Sequence, residues 1–177
     1  MDKRILKSTQ KIKNAYLDML FKIEPNKIQV KDLCLAAHVN RSTFYERFGF
    51  IETLESEIIE EEMKKITFDG IQIDALPKES DGIDKELIRK YIKSFCGNKI
   101  LIRMCTVENR EKYVDIIAHN QIKICASALT EVSYYGAYFQ CIGALATIIE
   151  WVNNHKNQSL NDIVDIVYNH SIAMFAK

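Results

Sequence analysis

Only two prolines, Pro25 and Pro77, interrupt the 177 residues of this chain, and it holds just six glycines. So few breakers favour long helices over many short strands. Strand-type alternation persists nowhere, so the expected fold class is all-α. The apolar fraction, 47%, is that of a globular protein and too high for a disordered one. The length allows one large domain or two small ones. The richest apolar run, Gly143 to Val152, contains Glu150 and falls short of the roughly 20 residues a membrane helix needs. The N-terminal residues carry charge without an apolar core of signal-peptide type. A cytoplasmic protein is the expectation.

Helical spacing sets the elements. Thr9 is read as the N-cap of a first helix along which Ile12, Ala15, Tyr16, Met19, Leu20 and Ile23 recur, with an earlier start left open. Pro25 ends it, because proline disfavours the helical conformation in the residue before it. A short helix over about Val30 to Ala37 follows, with Leu33, Ala36 and Ala37 inward. His38-Val39-Asn40 makes a turn, and Asn40 is a suitable N-cap for a second short helix over Arg41 to Phe48, which Gly49 stops. A longer helix spans Ile51 to Phe68, with Leu54, Ile58, Met63 and Ile66 inward. Residues 69–82 read as the one clear linker. Helices are expected near 83–96, 98–106, 108–129, 132–155 and 159–176. The domain boundary is placed at the corner before Ile51, giving 1–50 and 51–177.

The chain is neutral as a whole, yet residues 1–50 hold ten Lys/Arg against five Asp/Glu and the remainder fourteen against nineteen. A basic head on an acidic body suits a phosphate backbone, although splits of this size also arise by chance. The five cysteines (Cys34, Cys96, Cys105, Cys125 and Cys141) form no CxxC pair and are odd in number. A disulfide framework or zinc site is therefore not expected, and small buried hydrophobes are the simpler reading. The four histidines lie far apart, and no HExxH, GxSxG, GxGxxG or P-loop occurs, so neither enzymatic activity nor a cofactor is expected.

The most informative stretch is Ile28 to Leu54, IQVKDLCLAAHVNRSTFYERFGFIETL. It reads as helix, three-residue turn, helix. Small Ala36 and Ala37 suit a close helix crossing, Val39 plugs the turn, and Phe44 and Phe48, four apart, anchor the second helix. Arg41, Ser42, Thr43, Tyr45, Glu46 and Arg47 are left to point outward. Hydrogen-bonding side chains early in the second helix of a helix-turn-helix are placed to read base edges in a major groove. Tyr45 and Arg47 also suit phosphates. Glu46 has two readings, an acceptor for a cytosine amino group or a solvated side chain paired with a nearby cation.

Residues 9–65, and this motif above all, resemble the DNA-binding domain of the tetracycline-repressor family of transcriptional regulators. Val30, Leu33, Ala37, Val39, Thr43, Tyr45 and Phe48 match its pattern, and Asn40 replaces the usual serine cap. Gln29 stands for a threonine, His38 for the turn glycine, Arg47 for a common histidine, and Ile51 for a phosphate-binding lysine. That last contact is not carried over. The resemblance implies about nine helices and a DNA-binding regulator, most often a repressor, on a pseudo-palindromic operator. Arg41, Ser42 and Thr43 would read bases; Gln29, Lys31, Tyr45 and Arg47 would hold phosphates, with Lys7 and Lys11 adding attraction. An adapter or coactivator keeping the fold but acting through a protein partner is the alternative.

The last two helices differ from the rest. Tyr134 to Val152 is apolar on more than one face, and Gly136, Ala137, Gly143, Ala144 and Ala146 permit close approach. A helix apolar nearly all round must be covered on both sides. A second subunit would do so by forming a four-helix bundle from residues of about 132–176, whereas a central core helix in a monomer is the plainer reading. The C-terminal part is loosely similar to short regulators common in Firmicutes, in which these helices form the dimer interface. The resemblance also implies a small-molecule effector site, for which Phe95, Met104, Tyr113, Ile117 and Phe139 are candidates, with core packing the simpler account of each.

Overall fold

The computed structural model describes residues 3–68, 84–125, 134–154 and 157–175. Nine α-helices and no strand occur among them: α1 Lys3–Leu20, α2 Val30–Ala37, α3 Arg41–Phe48, α4 Ile51–Phe68, α5 Lys85–Gly97, α6 Lys99–Met104, α7 Arg110–Cys125, α8 Tyr134–Asn154 and α9 Leu160–Phe175. The expected linker 69–82 lies outside the described residues. No described helix is long and apolar enough to cross a membrane. The chain divides into two compact units, Met1–Ile59 and Glu60–Lys177. The divide falls inside α4 rather than at the corner before Ile51.

In the first unit, α1 buries one side. Ile12, Ala15, Tyr16 and Leu20 are buried along one stripe, as their spacing requires. Helix α1 takes the earlier start left open by the sequence, at Lys3, so Thr9 is a buried mid-helix residue and not the N-cap; it stops at Leu20, leaving Ile23, expected along it, off the helix and exposed. Pro25 opens a single 3-10 turn, Pro25–Lys27, where its fixed φ and missing N–H cost nothing. Leu33, Cys34 and Ala37 of α2, Phe44 and Phe48 of α3, and Leu54, Ile58 and Ile59 of α4 are buried. Ala36, expected inside, is exposed. Truncating a buried aromatic such as Phe44 costs about 3–5 kcal/mol, a large share of a small domain's stability.

In the second unit, α5, α6 and α9 start on side-chain caps. Asp84 Oδ1 accepts from the Glu86 N–H at 2.8 Å, and Asn98 Oδ1 accepts from Ile100 and Leu101 at 3.1 and 3.0 Å. Ser159 and Asp162 exchange reciprocal bonds at the start of α9, satisfying two otherwise orphaned donors. The Trp151 indole N–H donates to the Gln158 carbonyl at 2.9 Å and steadies the α8–α9 link. Ile92, Phe95, Leu101, Met104, Tyr113, Ile117, Leu145, Ile148, Ile163 and Val164 fill the core. Burial pushes the Cys96 thiol up to about 11 and Cys105 to about 12, so both stay protonated at neutral pH.

A candidate nucleic-acid interface

The turn between α2 and α3 is built by backbone geometry. His38 adopts the left-handed conformation, φ 53° and ψ 49°, which a glycine takes at no steric cost and which histidine tolerates better than most residues. Its N–H closes α2 on the Leu35 carbonyl at 3.2 Å, and the Val39 N–H reaches Cys34 at 3.1 Å. Asn40 is extended and stands at the N-cap of α3, but its side chain makes no capping bond. The expected cap therefore holds in position and not in chemistry. Gly49, at φ 70°, closes α3 by donating its N–H to the Tyr45 carbonyl at 3.0 Å.

Phe44 and Phe48 anchor α3 with ring centroids 5.4 Å apart, both buried. Phe44 also meets Tyr45 edge-on at 5.6 Å, which holds the base of an exposed phenol. The Arg41 guanidinium lies 6.0 Å from the Tyr45 ring. Hydrogen bonding with Tyr45 and the nearby phenol raise Arg41 further above its already high range. Arg41, Ser42, Tyr45 and Glu46 are exposed, and Thr43 is half-buried. Gln29 and Lys31 are exposed on the neighbouring α2 end, as are Lys7 and Lys11 on α1. The sequence-derived surface is thus assembled in one unit, with one exception.

Arg47 does not project freely. Its Nη1 and Nη2 donate to the two carboxylate oxygens of Glu57, each at 2.9 Å. Its Nε donates to Thr9 Oγ1 at 3.2 Å, and its guanidinium lies 4.7 Å from the Phe48 ring. The expectation that Arg47 points freely outward is corrected on this geometry. Glu57 also receives Lys13 Nζ at 2.9 Å. Burial alone would push the Glu57 carboxyl up, but the hydrogen bonds and charges of Lys13 and Arg47 outweigh it and hold the group below its usual range. Deeper in the unit, the Tyr16 hydroxyl donates to Glu55 Oε1 at 2.8 Å. Sequence reasoning missed Thr9, Lys13 and Glu57 as functional neighbours. No local pattern marks them, since Thr9 and Lys13 of α1 and Glu57 of α4 meet Arg47 only through the packing of three helices.

The candidate effector residues separate. Phe95, Met104, Tyr113 and Ile117 are fully buried on α5, α6 and α7, whereas Phe139 is 74% exposed on α8 and does not join them. An open cleft of about 620 Å³ lies elsewhere, lined by charged and amide side chains including Glu108, Arg110, Lys112 and Glu150. Among the described residues, no group of three His, Cys, Asp or Glu is arranged to hold a metal ion. On α8, Tyr135 is 81% exposed, Tyr134 is exposed beside it, and a Cβ added at Gly143 would meet nothing.

No protein-family model and no curated protein sequence matches the chain. Solved structures do. A tetR-family transcriptional regulator from Streptomyces coelicolor overlays 94% of this chain and 81% of its own at 12% identity, with a TM-score of 0.53. The TetR family repressor AlkX from Dietzia sp. overlays 95% of this chain and 97% of its own at 14% identity, with the same TM-score. The chain has a tetracycline-repressor-like, all-α fold.

Proposed function

We propose that this protein is a cytoplasmic DNA-binding transcriptional regulator, a repressor that acts as a homodimer on a pseudo-palindromic operator. The observation that carries the reading is α3: two buried aromatics fix its inner face, and its outer face carries exposed Arg41, Ser42 and Tyr45 with Thr43. Arg41, Ser42 and Thr43 read bases; Gln29, Lys31 and Tyr45 hold phosphates, with Lys7 and Lys11 adding attraction. The exposed aromatics of α8, with α9, supply the dimer contact. A small-molecule effector acting on the second unit releases the DNA. No enzymatic step is assigned.

Gel retardation with the DNA upstream of the chain's own gene tests this. Arg41→Ala is expected to weaken specific binding by about 5- to 150-fold, the range for one good base contact, while non-specific binding stays near wild type; Tyr45→Ala, which removes a phosphate contact, is expected to weaken both together. Absence of binding to any fragment in a genomic selection would sink the reading. One feature favours the adapter as a second reading: Leu35 and Phe50 are exposed in the same unit, and Ile51 supplies no cation there. An adapter would show no DNA retardation, and Leu35→Glu would abolish its partner complex.

A further inference from the structure

A reading helix must be held in rotation as well as in place. Helix α3 has eight residues, too few to be stable alone. Its two buried anchors, Phe44 and Phe48, lie four apart and fix one line along it. Arg47 supplies a constraint off that line. Both terminal nitrogens fork onto Glu57 of α4, Nε bonds Thr9 of α1, and the guanidinium covers the Phe48 ring. A bidentate guanidinium–carboxylate pair sets an angle as well as a distance.

Glu57 serves a second cation. Lys13 of α1, only 6% exposed, places Nζ 2.9 Å from Glu57 Oε2. One carboxylate therefore joins α1, α3 and α4. Nε, Nη1 and Nη2 each donate inside the unit, so three of the five N–H groups of Arg47 are committed to this cluster.

Building on the DNA-binding reading above, we propose that Glu57 is the positioning residue of the reading helix: as the shared anion of Arg47 and Lys13 it fixes the rotation of α3, and Arg47 acts on the duplex only through this clamp. The consequence is a helix whose base-reading angle is set by residues that never touch a base.

Amide hydrogen exchange on the full-length protein tests the clamp without any DNA. In Glu57→Gln, exchange of the Tyr45–Phe48 amides is expected to quicken by about tenfold, the loss appropriate to a charged hydrogen-bonded pair, with α5–α9 unmoved. If Glu57→Gln unfolds the first unit, Arg47→Gln leaves Lys13 with its carboxylate and gives the same readout. Unchanged α3 protection in both variants overturns the proposal. Retardation across a salt series gives an independent arm. Arg47→Gln is expected to cut the ratio of specific to non-specific affinity by about tenfold while leaving the log–log salt slope intact. A slope reduced by about 0.9 would mean that Arg47 itself held a phosphate, and the clamp would be wrong. Failure of the wild type to bind any duplex removes the DNA-binding reading, and the exchange arm then decides the clamp by itself.

Discussion

Helices α3 and α8 both present aromatic and small side chains to solvent, yet they are opposite kinds of surface. Helix α3 buries its two phenylalanines and shows water a set of hydrogen-bonding groups; its remaining aromatic, Tyr45, exposes a phenol with a polar tip. Helix α8 buries Ala137, Leu145, Ile148 and Ile149 and still leaves Tyr135 and Phe139 largely outside. The first surface is hydrated at no great cost and suits a polar, charged partner. The second exposes apolar area that water does not reward and suits an apolar one. The same division runs through the two units. Ion pairs on Glu57 link α1, α3 and α4 beside the buried phenylalanines of the first unit, while apolar burial and side-chain caps order helices of the second unit.

The largest test breaks the apolar side. Phe139→Glu combined with Tyr135→Glu is expected to convert a particle of about 41 kDa, twice the 20.5 kDa chain, into one of chain mass by light scattering at micromolar concentration. The dimer should weaken by more than about 100-fold, since two aromatic anchors at roughly 2 kcal/mol each are replaced by like charges. A wild type already of chain mass would remove the dimer altogether.

A smaller effect probes the charged side. The native Glu57 carboxyl is held below its usual range, so its contribution to stability is present above the unfolded carboxyl pKa and fades as pH falls through the lower folded value. Denaturant midpoints of wild type and Glu57→Gln should therefore differ by a constant gap from pH 6 to 8. That gap should begin to shrink near the unfolded carboxyl pKa, about 4.3, and close only below the lower folded value, where both states of the wild type are protonated. A gap independent of pH would assign Glu57 a packing role instead.

The smallest effect compares two caps. Asn98 accepts two backbone N–H groups and Asn40 accepts none. Asn98→Ala should cost about 1 kcal/mol or more and Asn40→Ala less than about 0.5, read from chemical denaturation. Equal costs would mean that Asn40 caps α3 in solution.

Much of the first unit was legible in the sequence because its punctuation is chemical. Pro25 and Gly49 mark where chain conformation changes, and Phe44 and Phe48 have the spacing of a helix face; α2, α3 and α4 fall where these signals place them. The start of α1 was legible only as an open question: Ile5 and Leu6 are the sole apolar residues from Lys3 to Ser8 and both are exposed, so Thr9, a residue suited to capping just before the buried stripe, drew the boundary inward. Thr9 instead accepts from Arg47, 38 residues away. That bond, like the fork on Glu57, depends on how three helices meet, and periodicity within one helix holds no record of it. Ala36 and Phe139 went wrong for a related reason: an apolar letter states a preference for burial, and packing decides which of several candidates obtains it.

His38 closes the helix-turn-helix with left-handed backbone. The geometry is what the turn demands, and the letter is negotiable within the few residues that endure it. A glycine there would ease the turn by up to about 1 kcal/mol. The chain thus carries an unused tolerance at the turn of its most informative motif: room to absorb a destabilising change on the α3 surface and recover it two residues upstream of Asn40.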